Sequence, residues 1–193
     1  MTAHATDLKM LLKDPSLLET RAFVAGEWVE AGDGATFDVI NPARGDVIAK
    51  MADLGRADAA RAIAAAAREA GARDVLLAGD SFDAETPAPA TLRQALGAMA
   101  HEADLRWYLL PGNHDSLAAT ELWRRIATDA PSNLRAVTAI EPFEIAPGVM
   151  VLPAPCTQRR PGRDLTEAMS APTAAGAIRI GLGHGAIVDF TGE

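Results

Sequence analysis

Three short polar runs in this 193-residue chain bring together residue types able to do metal or acid–base chemistry. They are Gly79-Asp80-Ser81-Phe82-Asp83, Gly112-Asn113-His114-Asp115 and Gly183-His184-Gly185. A carboxylate, an amide oxygen and imidazoles form the mixed N/O donor set that suits Mn²⁺, Fe²⁺ or Zn²⁺. A glycine ahead of each donor permits the sharp turn and close backbone approach that such a site needs. Each run also has a plain structural reading. An aspartate after a strand is common turn material, Asn-His-Asp can cap a helix, and a histidine between glycines is an ordinary loop residue. Their shared context sets them apart, because each directly follows an apolar run, and α/β folds gather the loops at the carboxyl ends of parallel strands into one crevice.

The elements that must position these runs follow from the pattern around them. Asp74 to Ala78 and Leu105 to Leu110 are continuous apolar runs, as expected of strands buried on both faces. Ala177 to Gly183 reads as the last strand. Pro89 to His101 and Ser116 to Asp129 read as helices, the second with Ser116 or Asp115 as its cap. Leu134–Ile140, Phe143–Ile145 and Val149–Leu152 are short strand candidates, and Pro153–Arg163 is a loop. Alternating strands and helices imply a largely parallel sheet with covering helices, an α/β fold. The first third reads differently. Residues 7 to 19 allow one or two short helical turns, with Asp7 able to cap and Pro15 interrupting. Arg21–Glu30 and Thr36–Ile40 are β-prone runs joined through Ala31-Gly-Asp-Gly, which predicts a hairpin. Asp46–Met51 is a short extended run, and Ala57–Ala70 is an alanine-rich helix ended by Gly71.

Gly-Asp-x-x-Asp, then Gly-Asn-His-Asp, then Gly-His is a motif series similar to that of the calcineurin-like metallophosphoesterases. Leu-Leu-Ala-Gly-Asp-Ser-Phe-Asp and Leu-Leu-Pro-Gly-Asn-His-Asp-Ser look most like its DNA-repair exonuclease branch. The match runs from about residue 66 to the end. The resemblance implies an α/β/β/α sandwich that hydrolyses phosphodiester or phosphomonoester bonds with metal-activated water, with Mn²⁺ first and Fe²⁺ or Zn²⁺ as alternatives. Asp80 would bridge two ions, Asn113 and His184 would ligate the second, His114 would act on the phosphate or leaving oxygen, and Asp115 would orient His114. Asp83 has two open readings, a ligand or a residue that stabilises its loop. Two such ions clamp a phosphoester and lower the pKa of a bound water. The substrate would be a phosphoester, with nucleic acid among the candidates.

Departures from the pattern limit that expectation. The family's Asp-x-His and Gly-His-x-His motifs are absent, which leaves the first metal with Asp80 alone and the phosphoesterase impaired. In place of the expected start, Arg21-Ala-Phe-Val-Ala-Gly-Glu-Trp-Val and Gly34-Ala-Thr-Phe-Asp-Val-Ile-Asn-Pro-Ala-Arg-Gly-Asp-Val-Ile resemble the amino-terminal hairpin of succinate-semialdehyde-type aldehyde dehydrogenases. That resemblance continues weakly to about Ala66. It implies a structural lead-in, with the family's cofactor loops and nucleophilic cysteine absent from this sequence. The expected organisation is therefore a β-hairpin extension over residues 1–65 and an incomplete metallophosphoesterase domain over 66–193. The alternatives to an enzyme are a non-catalytic fusion or truncated remnant, or an aldehyde dehydrogenase fragment. One further arrangement would supply a missing ligand: the extended run Val47–Gly55, which ends in Asp-x-Gly, pairing beside Val75–Ala78 would carry Asp53 to the crevice rim.

Composition agrees with a folded protein and restricts its partners. Hydrophobic residues make up 49%, charged residues 23% and the net charge is −8, which excludes a disordered chain and argues against bulk attraction to nucleic acid or anionic lipid. Arg159, Arg160 and Arg163 form the one basic cluster, read as a solvated loop ahead of a phosphate-tracking patch. Alanine is about a fifth of the chain and buries little surface per residue, so stability should be modest. No apolar run approaches the ~20 residues of a membrane span, and no export signal is evident, so the expected location is cytoplasmic. Cys156 is the only cysteine, so no internal disulfide can form; it reads as a loop or core thiol. His4 and His101 read as bland. All three lysines, Lys9, Lys13 and Lys50, precede residue 51, consistent with two segments of different origin. A sheet lacking its first and last strands would leave exposed edges, a route to self-association.

Overall fold

The computed structural model describes residues 8–160 and 162–185. The capping role expected of Asp7 and the reading of His4 fall outside the described residues. The chain divides into two compact units, Met1–Ala66 and Ala67–Glu193.

The first unit holds two short hairpins and most of a helix. Strands β1 (Ala22–Val24) and β2 (Glu27–Val29) pair antiparallel. Their two-residue turn, Ala25-Gly26, has positive φ at both positions (49° and 85°), as a type I′ hairpin requires. Phe23 and Trp28 stand opposite each other across it, ring centroids 5.0 Å apart. The expected hairpin therefore forms inside Arg21–Glu30 and not around Ala31–Gly34. Strand β3 (Thr36–Ile40) pairs instead with β4 (Val47–Ala52). Their connection is set by Asn41, whose carbonyl accepts from Gly45 N–H at 2.8 Å and whose side chain accepts from Ala43 N–H. Among the described residues β4 pairs with β3 alone, and the sheet that holds the Asp74–Leu77 strand is made of other strands, so the expected pairing that would carry Asp53 is not seen. Ahead of the hairpins, the expected helical turns are short 3₁₀ pieces, Leu8–Met10 and Pro15–Leu17, the latter capped by Asp14 accepting from Ser16 N–H.

Helix α1 (Arg56–Glu69) spans the boundary between units and stops at Gly71, whose φ of +68° lets the chain reverse while Ala72 N–H bonds Ala67 O. The second unit then alternates as expected: β5 (Asp74–Leu77), α2 (Pro89–His101), β6 (Arg106–Leu109), α3 (Thr120–Asp129) and β7 (Leu134–Ala136). Strands β5, β6 and β7 form a parallel sheet in that order. A second three-stranded sheet joins β8 (Phe143–Ala146), β9 (Val149–Ala154) and β10 (Ile178–Gly183), with β9 central, antiparallel to β8 and parallel to β10. The architecture is mixed α/β with small open sheets, and these features do not single out a phosphoesterase sandwich.

The core of the second unit gathers Tyr108, Leu110, Val137, Phe143, Val151 and Leu182, with Leu76, Ile145 and Ile180 packed against it. It thus draws on both sheets. Asn133, at the mouth of β7, adds a polar tie that the sequence pattern did not suggest. Its amide nitrogen reaches the carbonyls of Met99, Glu102 and Leu105 at 3.0–3.2 Å, holding the exit of α2 against the entry of β7. Replacing Asn133 with Ala removes the side-chain amide these carbonyls share, although Met99 O and Glu102 O keep backbone donors, and urea denaturation should show a loss of about 1–3 kcal/mol. A change within error would mean that water replaces the amide.

Candidate functional site

Each polar run begins where a strand ends. Beyond β5, Gly79 (φ +90°) and then Asp80 (φ +52°) both take left-handed backbone. Aspartate is one of the few residues with a side chain that visits this region without large strain. The turn folds the Asp80 side chain back over the loop after β6, where its Oδ1 accepts from His114 N–H at 2.9 Å. The approach is tight. A Cβ on Gly112 would overlap the Asp80 backbone and carboxylate, and one on Gly79 would lie 2.6 Å from the His184 ring. Glycine is required at both places by space, and at Gly79 by φ as well.

Asp115 lies beneath these loops, fully buried. Its oxygens accept from the backbone N–H groups of Gly112 (2.6 Å), Phe82 (3.1 Å) and Asp80 (3.3 Å). Among the described residues these backbone amides are its partners, and no bond from it to the His114 ring is seen. The carboxylate that His114 meets is Asp83, with Nδ1 3.4 Å from its Oδ1, and the Asp83 side chain stands in solvent. The same commitments explain why α3 starts at Thr120 rather than at Ser116. The carbonyls of Asp115 and Ser116 both accept from Trp123 Nε1–H, and Leu117 N–H bonds Cys156 O, so this stretch is fixed by tertiary contacts before the helix can begin.

The third run arrives from β10. His184 Nδ1 lies 2.8 Å from the Ala78 carbonyl, while its Nε2 lies 2.8 Å from Asn113 Oδ1 and 3.3 Å from Asp80 Oδ2. Asp80, Asn113 and His184 therefore meet at one point, drawn from the ends of β5, β6 and β10. Cys156 is buried nearby, its Sγ–H donating to the His184 carbonyl at 3.3 Å. Burial, with the Asp80 and Asp115 charges adding to it, pushes its thiol above the ordinary cysteine range. Arg159, Arg160 and Arg163 lie on an exposed loop, and His101 is exposed at the end of α2 with Nδ1 2.6 Å from the Gly97 carbonyl. Among the described residues, no group of three or more His, Cys, Asp or Glu side chains is arranged to hold a metal ion.

No family model matches the chain, and no solved structure matches it. Curated relatives match it over short segments of about 50 residues. A 3-sulfolactaldehyde dehydrogenase of Pseudomonas putida is 54% identical over 48 residues, which is 25% of this chain and 10% of that protein. The amino-terminal segment is similar to aldehyde dehydrogenases. A glutarate-semialdehyde dehydrogenase of the same species is 43% identical over 49 residues, again 25% of this chain and 10% of the relative. The NADP(+) succinate-semialdehyde dehydrogenase of Escherichia coli is 39% identical over 46 residues, 24% and 10% respectively. The chain thus spans about a tenth of the length of the relatives it matches.

These findings correct the expectations drawn from the motif series. The metal-dependent phosphoesterase activity, the hydrolase and exonuclease-like class and the Mn²⁺, Fe²⁺ or Zn²⁺ cofactor are all overturned, since the relatives found are dehydrogenases and the described residues form no such metal cluster. The aldehyde-dehydrogenase resemblance of the first segment stands. No described helix is long and apolar enough to cross a membrane.

Two measurements check the geometry. Asp115→Ala leaves several buried N–H groups unpaired and should cost about 3 kcal/mol or more in urea unfolding, with Asp115→Asn in between; an unchanged midpoint would show that the carboxylate does not hold the loops. The Cys156 thiol should alkylate far more slowly in the native chain than in urea at pH 8, and its native rate should still be rising at pH values where an ordinary cysteine has levelled off. Equal rates in the two states would contradict its burial.

Proposed function

We propose that this chain is a non-catalytic fusion whose first segment, residues 1–65, serves as a structural lead-in of the semialdehyde dehydrogenase type, joined to an α/β segment over 66–193. The observation that carries this reading is the 54% identity over 48 residues to a segment that makes up only 10% of the relative. The division into compact units at Ala66 supports a joint at that place.

The build of the first unit supports the same reading. Its buried apolar side chains among the described residues are the alanines Ala31, Ala60 and Ala64, while Phe23, Trp28, Phe37 and Ile40 are exposed. A segment that turns its large apolar groups outward gains little from folding alone and much from being covered. Nine-tenths of a dehydrogenase of the matched kind could provide that cover. The cofactor class tied to this ancestry is a nicotinamide dinucleotide, which one relative's name gives as NADP(+). In our reading it belongs to the dehydrogenase body and not to this chain.

The test has an activity arm and a binding arm. The purified chain with succinate semialdehyde and NADP⁺ should produce no NADPH above the blank; turnover would overturn the non-catalytic reading. The chain should also bind the E. coli succinate-semialdehyde dehydrogenase from which the matched segment has been deleted, with Phe23→Ala/Trp28→Ala weakening the complex about tenfold or more, as loss of buried aromatic anchors does. Absence of saturable binding would overturn the lead-in role.

A further inference from the structure

Among the described residues strand β5 ends its sheet, and its hydrogen-bonding groups divide by parity. Arg106 N–H bonds Arg73 O, and Leu110 N–H bonds Leu77 O. In a parallel ladder the N–H and C=O of one residue point to the same side, so Arg73, Val75 and Leu77 face β6. Asp74, Leu76 and Ala78 face outward. The outward Ala78 carbonyl is occupied by the His184 ring. The backbone groups of Asp74 and Leu76 have no partner among the described residues.

Proteins normally guard such an edge with a charge, a proline, a bulge or a covering element. The charge available here is Asp74, and it is turned the other way. Its carboxylate accepts from Arg106 Nη2 at 2.6 Å and from Tyr108 Oη at 3.1 Å, both on β6, which neutralises it and draws it across the sheet. What remains at the edge is Val75-Leu76-Leu77, half-buried at every position. Parallel strands are ordinarily covered on both faces and continued on both sides, so this apolar run is unusual as a terminus.

The free groups are self-complementary. Laid antiparallel about a two-fold axis through Val75, Asp74 of one copy faces Leu76 of the other and Leu76 faces Asp74, so every outward N–H finds an outward C=O. Val75 meets Val75 as a non-hydrogen-bonded pair, where β-branched side chains pack well. The occupied Ala78 carbonyl lies just beyond this register and is not needed by it. We infer that two copies of this chain associate through the outer edge of β5, antiparallel and centred on Val75, so that the two parallel sheets become one continuous sheet. A two-fold dimer with an isologous interface is the commonest closed assembly of soluble proteins.

The centred register makes the test specific. Facing residues of a non-hydrogen-bonded pair have Cα atoms about 4.5 Å apart, within disulfide reach. Val75→Cys in the full chain should therefore give a covalent dimer on mild oxidation. Leu77→Cys, on the same face but with its counterpart about 13 Å away by strand rise, should not, and the native Cys156 is buried. Absence of the Val75→Cys dimer, or equal cross-linking at both positions, would overturn the inference. In sedimentation at about 100 µM the native chain should be dimeric, and Val75→Asp and Val75→Lys should each weaken association at least tenfold through like charges meeting at the axis. Mixing the two variants should restore the dimer as a heterodimer. A native chain that sediments as a monomer, or a mixture that does not recover, would refute this register.

Discussion

A single buried carboxylate organises the second unit. Asp115 takes backbone N–H groups from the loop after β5 and from the loop after β6, and it does so inside the protein, where an anion without such donors would cost several kcal/mol. Once these donors converge on it, Gly112 must approach Asp80 too closely to carry a side chain, and Asp80 must turn into left-handed backbone. The carbonyls of Asp115 and Ser116 are then set to receive the Trp123 indole, which seats α3. Loop conformation and helix placement are in this sense consequences of one electrostatic requirement.

The same requirement explains why polar residues with the look of chemistry stand together. The convergence of Asp80, Asn113 and His184 is accompanied by internal contacts for each group, from the Ala78 carbonyl to the His114 amide. Residue types suited to binding an ion are also the residue types suited to tying three loops together. The curated relatives reported above are similar to a short stretch of this chain, about a quarter of it.

Much of the second unit was legible in the sequence because its cues were strong. The continuous apolar runs gave β5, β6 and β10 to within a residue or two, and α2 was read from Pro89 to His101 as found. What the pattern could not give depended on contacts between distant positions. The late start of α3 results from an indole and a neighbouring strand end competing for the backbone of Asp115–Leu117. The tie made by Asn133 has no local signal, since an asparagine before a strand reads as turn material. In the first unit the alternation is legible, but Ala25-Gly26 gives little turn signal, because alanine rarely accepts positive φ. The turn signal of Ala31–Gly34 is the stronger one, and it points away from the pairing of β3 with β4. The crevice residues were found from spacing and strand context, whereas their partners were not: Asp83 beside His114, and the Ala78 carbonyl beside His184.

Gly112 shows how folding alone can hold a signature in place. The space that forbids a Cβ there is set by the Asp80 turn, and the carboxylate three residues on is held by backbone amides. A mutational drift that abolished every reactive function of this crevice would still be penalised at Gly79, Gly112 and Asp115 by folding alone. Gly-Asp and Gly-Asn-His-Asp would then survive as the outline of a turn, and a reader of sequences would meet them as though they marked a working centre.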